Sequence, residues 1–149
     1  MAVRATRVPN GACGLHAKIA GEMADYQIGA IRVDTITVGD DNAIKFLGPE
    51  GPLVLSTPQM ILVMERTCRN LILPMLDAGQ DTVGTQVNVA HRAAALMGSA
   101  VTFTAELLAV NNRRAEFRVE ARMGEKIVGD GTHQRAVISI REFGEKAAK

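Results

Sequence analysis

STPQMILVMERTCRNLILP, residues 56–74, reads as one helix that is apolar over most of its circumference. Thr57 stands where an N-cap belongs and Pro58 where the first helical residue belongs, a favoured start. Met60, Ile61, Leu62, Val63, Met64, Cys68, Leu71, Ile72 and Leu73 then follow around most of the cylinder. A helix written this way is covered on most sides rather than laid on a surface. Pro74 lacks the amide that a helix interior needs, so the pattern predicts a helix over about 58–76, closed by Gly79.

Outward from the helix, the chain changes period. Residues 114–123 alternate Ala115, Phe117, Val119, Ala121 and Met123 with Arg114, Glu116, Arg118, Glu120 and Arg122, as a strand with one wet face does. Residues 99–110 alternate in the same way. Residues 82–91 place Val83, Thr85, Val87, Val89 and His91 on one face, expected to turn towards the helix. Residues 126–140 form the last expected strand, with a bulge or bend at Gly129-Asp130-Gly131. Asn111-Asn112 and Gly124-Glu125 are hairpin turns. Before the helix, residues 28–38 and 43–47 read as strands, separated by Asp40-Asp41-Asn42 and followed by a Gly/Pro loop. The sheet has an apolar face to cover, and the helix is what can cover it. The fold class is therefore α+β: an antiparallel sheet wrapped around one long central helix.

Composition narrows the function. The chain has 149 residues, 47% apolar and 22% charged, with a net charge of +1, which fits a single globular domain. No basic face points to nucleic acid, and no apolar run is long enough for a membrane span. The two cysteines, Cys13 and Cys68, have no short spacing, which suits a reducing, cytoplasmic setting. Residues 1–24 carry Arg4, Arg7 and Lys18, no acid until Glu22 and no clean periodicity, and are expected to form a disordered extension. They lack the apolar core of a signal peptide. A sharper reading has Met23 as the true start. The domain is expected over 25–143, with a tail over 144–149.

Three side chains carry candidate chemistry. Thr57 is a helix cap, or a hydroxyl beside free amides that suit an oxyanion. Glu65 is a surface partner for Arg69 one turn on, or a carboxylate among apolar residues, where such a group becomes a stronger base. His91, on the face turned towards the helix, needs a polar partner, which Thr57 or Glu65 would supply. His133 is read either as a ligand contact or as a structural residue. Cys68 reads as core. His16, His91 and His133 have no metal-ligand spacing, so no metal and no cofactor are expected.

Ser56-Thr57-Pro58-Gln59-Met60, Glu65, the run from Asp81-Thr82-Val83-Gly84-Thr85 to Ala90-His91, and Gly129-Asp130-Gly131-Thr132-His133-Gln134-Arg135 together resemble the fluoroacetyl-CoA thioesterase-like branch of the hot-dog superfamily. The likeness covers about residues 30–143. It implies a catalytic set of Thr57, Glu65 and His91, with Gly84 against the acyl group and Arg135 and His133 on the substrate side. It also implies a homodimer formed by pairing the strand after the helix with its copy, a tetramer being left open. The family's phenylalanine-bearing lid has a shorter counterpart in residues 46–55, with no phenylalanine near Thr57, which puts fluoroacyl selectivity in question. The expected function is hydrolysis of a small acyl-CoA thioester. The rival readings are a hot-dog acyl-CoA dehydratase or hydratase and a non-catalytic acyl-CoA-binding dimer.

Overall fold

The alternation over Arg114–Met123 becomes a strand of that span in the computed structural model, which describes residues 25–149. The extension over 1–24 and the start at Met23 lie outside the described residues. In chain order the elements are β1 (Ile31–Thr37), α1 (Thr57–Ile72), β2 (Gln80–His91), β3 (Ala100–Asn111), β4 (Arg114–Met123), β5 (Lys126–Ser139) and α2 (Ile140–Ala147). A short 3-10 turn, Leu73–Met75, takes up Pro74 after α1. The five strands make one antiparallel sheet in the order β1-β3-β4-β5-β2, so β1 and β2 are its edges.

Met60, Val63, Met64, Cys68, Leu71 and Ile72 of α1 are buried against Val101, Phe103, Ala105 and Leu107 of β3 and Ala115, Phe117, Val119 and Ala121 of β4. Each large apolar side chain hidden this way contributes on the order of 2 kcal/mol. The opposite face of β4 carries Arg118 and Glu120; Arg118 pairs across the strands with Glu106 at 2.8 Å. The hairpin turns fall at Asn112 and Gly124, both with positive φ (55° and 58°), the backbone that tight hairpins require.

The structure departs from the sequence expectations in places that matter for the site. Ser56, not Thr57, is the N-cap: its hydroxyl accepts from the Gln59 amide at 3.3 Å. Thr57 is the first helical residue and Pro58 the second, where its missing amide costs nothing. The strand expected over 43–47 reduces to a single bridge, Ala43 to Leu55, and Phe46 is 81% exposed. Two glycines and two prolines just downstream keep that segment from forming a ladder. The first strand begins only at Ile31, after a turn with Gly29 at φ 85°. The irregularity in β5 falls at Val128, since Ala121 pairs with Gly129 and Arg122 with Ile127. Gly131 is required for a different reason: a Cβ there would sit 2.1 Å from the Asn88 carbonyl oxygen of β2. The 143/144 boundary expected for the tail falls inside α2.

The departure with most consequence is in β2. Gly84 pairs with Arg135 and Gln86 with Gln134, so Thr85 is an extra residue with no partner. Because side chains alternate along a strand, one extra residue sends everything beyond it to the other face. Thr82 and Gly84 face the helix before the bulge, and Val89 and His91 face it afterwards. The continuous face expected from Val83 through His91 does not exist.

Candidate active site

At the start of α1, the Thr57 Oγ1 lies 2.7 Å from His91 Nδ1 at the end of β2. Ser56 makes this possible. By serving as the cap it leaves the neighbouring hydroxyl free. The Gln59 amide is taken by Ser56 Oγ, the Met60 amide by the Ser56 carbonyl, and Pro58 has none. Among the described residues, the Thr57 amide is what the helix start has left to offer a ligand oxygen. His91 Nε2 is buried with no hydrogen-bond partner among the described residues. The pair borders an open cleft of about 350 Å³ lined by Ile44, Phe46, Val54, Leu55, Thr57 and His91. A phenylalanine is thus near the threonine in space, although 11 residues separate them in sequence.

Glu65 belongs to a different group. Arg135, only 5% exposed, donates from Nε to Thr82 Oγ1 and from Nη2 to the Thr82 carbonyl, both at 2.8 Å. Its Nη1 reaches Glu65 Oε1 at 3.3 Å and His133 Nε2 at 3.1 Å. His133 is 2% exposed, and its Nδ1 lies 2.9 Å from the Gln86 carbonyl oxygen, just past the bulge. Gly84 lies directly under the carboxylate: a Cβ there would sit 2.0 Å from Glu65 Oε1. The partner once expected for Glu65 is engaged elsewhere, because Arg69 binds Asp81 through two contacts of 2.6 and 2.8 Å.

Electrostatics follow from these contacts. Burial pushes His133 below its ordinary value and Arg135 below its own, with the nearby Glu65 opposing both shifts. The Arg69 hydrogen bond holds Asp81 below the usual carboxylate range. Burial pushes the Cys68 thiol up to about 12, as suits a core residue. Glu65 is one-third exposed and faces a guanidinium, so its surroundings are not the apolar ones its sequence neighbours imply.

Thr57, Glu65 and His91 therefore do not meet within one chain. Glu65 is eight residues beyond Thr57, which places it about 12 Å farther along the helix. The fold brings Thr57 to His91, and separately brings Glu65 to Gly84, His133 and Arg135. Thr82 and Gln86 complete the second group. Sequence reasoning missed both: Thr82 by assigning it the wrong face, Gln86 because it acts through its carbonyl. Among the described residues no group of three His, Cys, Asp or Glu is placed to hold a metal.

A sheet curled around one central helix, with polar groups at the helix start and along the edge strand, is the hot-dog arrangement, the architecture of thioester hydrolases among other enzymes. The match of residues 38–141 to the model of the fluoroacetyl-CoA-specific thioesterases places the chain in that family, to which it belongs. It is 42% identical over 97 residues to the fluoroacetyl-CoA thioesterase of Streptantibioticus cattleyicolor, covering 65% of this chain and 70% of that one. A solved structure of the fluoroacetyl-CoA thioesterase FlK superposes with a TM-score of 0.76 at 35% identity, over 83% of this chain and 96% of the other. A thioesterase superfamily member from Thermus thermophilus superposes with a TM-score of 0.77 at 27% identity, over 85% and 93%.

Proposed function

We propose that this chain hydrolyses a small acyl-CoA thioester in a site shared between two copies of itself. The observation that carries this reading is the separation of the two groups along α1, together with the edge position of β2. β2 ends in His91 and passes under Glu65 at Gly84, and among the described residues its outer side has no strand beside it. An edge whose middle residues 84–88 are exposed, and which carries Val87 at 42%, suits pairing with its twofold copy. Antiparallel pairing about a point between Gly84 and His91 carries the Glu65 group of one copy towards the Thr57–His91 pair of the other. Residues 25–143 form the catalytic unit, and a cytoplasmic setting fits a coenzyme A ester.

The groups then divide the work. Arg135 and Gly84 fix the Glu65 carboxylate, which either takes a proton from the attacking water or displaces the thiolate to give a mixed anhydride that water then cleaves. The proton taken from water passes by way of His91 and the Thr57 hydroxyl, 2.7 Å apart, to the departing coenzyme A thiolate. The Thr57 amide supports the developing oxyanion. Gly84, with Arg135 behind it, forms the wall nearest the acyl group. Phe46 at the cleft leaves the choice between fluorinated and plain acyl groups to the thiol-release assay.

Mixing two inactive variants tests the shared site. His91→Ala and Glu65→Gln, refolded together, should recover about a quarter of wild-type activity, because half the dimers then hold one intact site of two. A site within one chain would recover nothing. Thiol release from a panel of acyl-CoAs distinguishes hydrolysis from the dehydratase and from mere binding.

A further inference from the structure

The sequence motif treats His133 as a residue beside the substrate, but its contacts point elsewhere. It is buried between β2, β4 and α1, with its ring centroid 6.4 Å from that of Phe117. Its Nδ1 faces a carbonyl oxygen, that of Gln86, which can only accept, so Nδ1 carries the proton. In a neutral ring Nε2 is then an acceptor, and it lies 3.1 Å from Arg135 Nη1, which can only donate. The geometry closes: the Gln86 carbonyl orients the ring, the ring receives the guanidinium, and the guanidinium holds Glu65 Oε1 at 3.3 Å. Glu65 Oε1 itself lies 3.7 Å from His133 Nε2, beyond a hydrogen bond.

We infer that His133 is a positioning residue that acts on Glu65 through Arg135, and that its essential feature is the bare Nε2 acceptor. This rests on the reading of Glu65 as the catalytic carboxylate. Arg135 Nη1 has three acceptors within reach: Glu65 Oε1, the Glu65 carbonyl at 3.4 Å and His133 Nε2. The other two nitrogens are tied to Thr82. Without the imidazole acceptor, Nη1 has only α1 to follow, and the carboxylate loses the fixed point that places it over Gly84. A protonated ring offers no acceptor and sets a second cation against the guanidinium. The charged groups around the ring are Arg135 on its own strand and Glu65 on α1; β2 offers the Gln86 carbonyl and β4 the apolar Phe117.

Side-chain reach provides the test. Glutamine sets its Oε1 near the place of Nε2 and keeps an acceptor for Arg135. Asparagine sets its amide near the place of Nδ1, keeps the bond to Gln86 and loses that acceptor. Leucine fills the space and loses both. With folding followed by thermal melting, His133→Asn and His133→Leu should lower kcat about tenfold or more while KM moves less than about threefold, as misplacement of a reacting group does. His133→Gln should restore kcat to within about threefold of wild type. A folded acceptor-free variant with wild-type kcat, or a Gln variant as impaired as the other two, overturns the inference. Glu65→Gln assayed in parallel separates the two readings. If it is inactive while His133→Leu is unimpaired, the positioning role falls and the site stands. If Glu65→Gln is fully active, the reading of the site falls first.

Discussion

The two ends of the candidate site differ in how much of their geometry one chain secures. Around Glu65, three elements converge: Arg135 is held at five atoms contributed by β2, β5 and α1. Around Thr57, one hydrogen bond to His91 closes the arrangement, the hydroxyl residue is exposed and the outer nitrogen of the imidazole is unpartnered among the described residues. A group that must hold a charge in a fixed place is built from buried, multiply satisfied contacts. A group that must move a proton is left with a single short bond and access to the cleft. The difference teaches that the carboxylate end is preorganised by folding, while the hydroxyl end is the one that the proposed shared site completes by association.

The sharpest break of that contrast is chemical. Glu65→Gln keeps the shape and removes the charge, and His91→Ala removes the proton carrier. Each should cut turnover about a hundredfold or more in the thiol-release assay, and the double variant should cost far less than the product of the two. Multiplicative losses would mean that the two ends do not serve one step.

The next contrast is between rate and stability at adjacent residues. Thr57→Val should reduce turnover about tenfold or more yet leave the melting temperature nearly unchanged, since Ser56 and not Thr57 caps α1. Ser56→Ala should do the reverse, costing about 1 kcal/mol in denaturant with a smaller effect on rate. Thr57→Ser should be mild. An equal loss of stability in both would return Thr57 to the role of cap.

A third experiment reads the carboxylate end alone. Arg135→Met should cost about 3 kcal/mol by urea unfolding, because Thr82 and Glu65 lose a buried donor together. No change in the midpoint would show that the network is ornamental to the fold.

The smallest expected effect is the dependence of stability on pH. The folded value of His133 lies below its ordinary 6.5, so the unfolded chain binds this proton first. Its contribution is full above about pH 6.5 and is lost as pH falls from there through the folded value. Wild type should therefore lose more stability between neutral and mildly acid buffer than His133→Gln does. Parallel losses would mean that the imidazole does not titrate differently on folding.

Much of this fold could be read without coordinates. β4 spans Arg114–Met123 as its alternation predicts, because a sheet with one covered face imposes its period on the sequence. The buried helix was legible for the same reason. What could not be read are choices made between near-equivalent neighbours or across long separations. Ser56 and Thr57 are both good caps, and only the packing of α1 decides between them. The bulge at Thr85 has no sequence mark apart from the glycine before it, so periodicity assigned Thr82 and Gly84 to the wrong face. Arg135 lies 70 residues from Glu65, and no local pattern connects them. Phe46 was set aside by counting along the chain, whereas the loop folds it back to the cleft.

The unpaired Thr85 has a consequence for inheritance as well. Losing that one codon would leave Thr57, Glu65, Gly84, His91, His133 and Arg135 all present in the translated protein. The strand would regain its regular period, and Gly84 and His91, then six residues apart, would still both face the helix. Losing a codon beyond the bulge instead, with the bulge kept, would preserve the same residues and set the two on opposite faces. The odd, seven-residue interval from Gly84 to His91 and the unpaired Thr85 are therefore passed on as one feature, each needing the other.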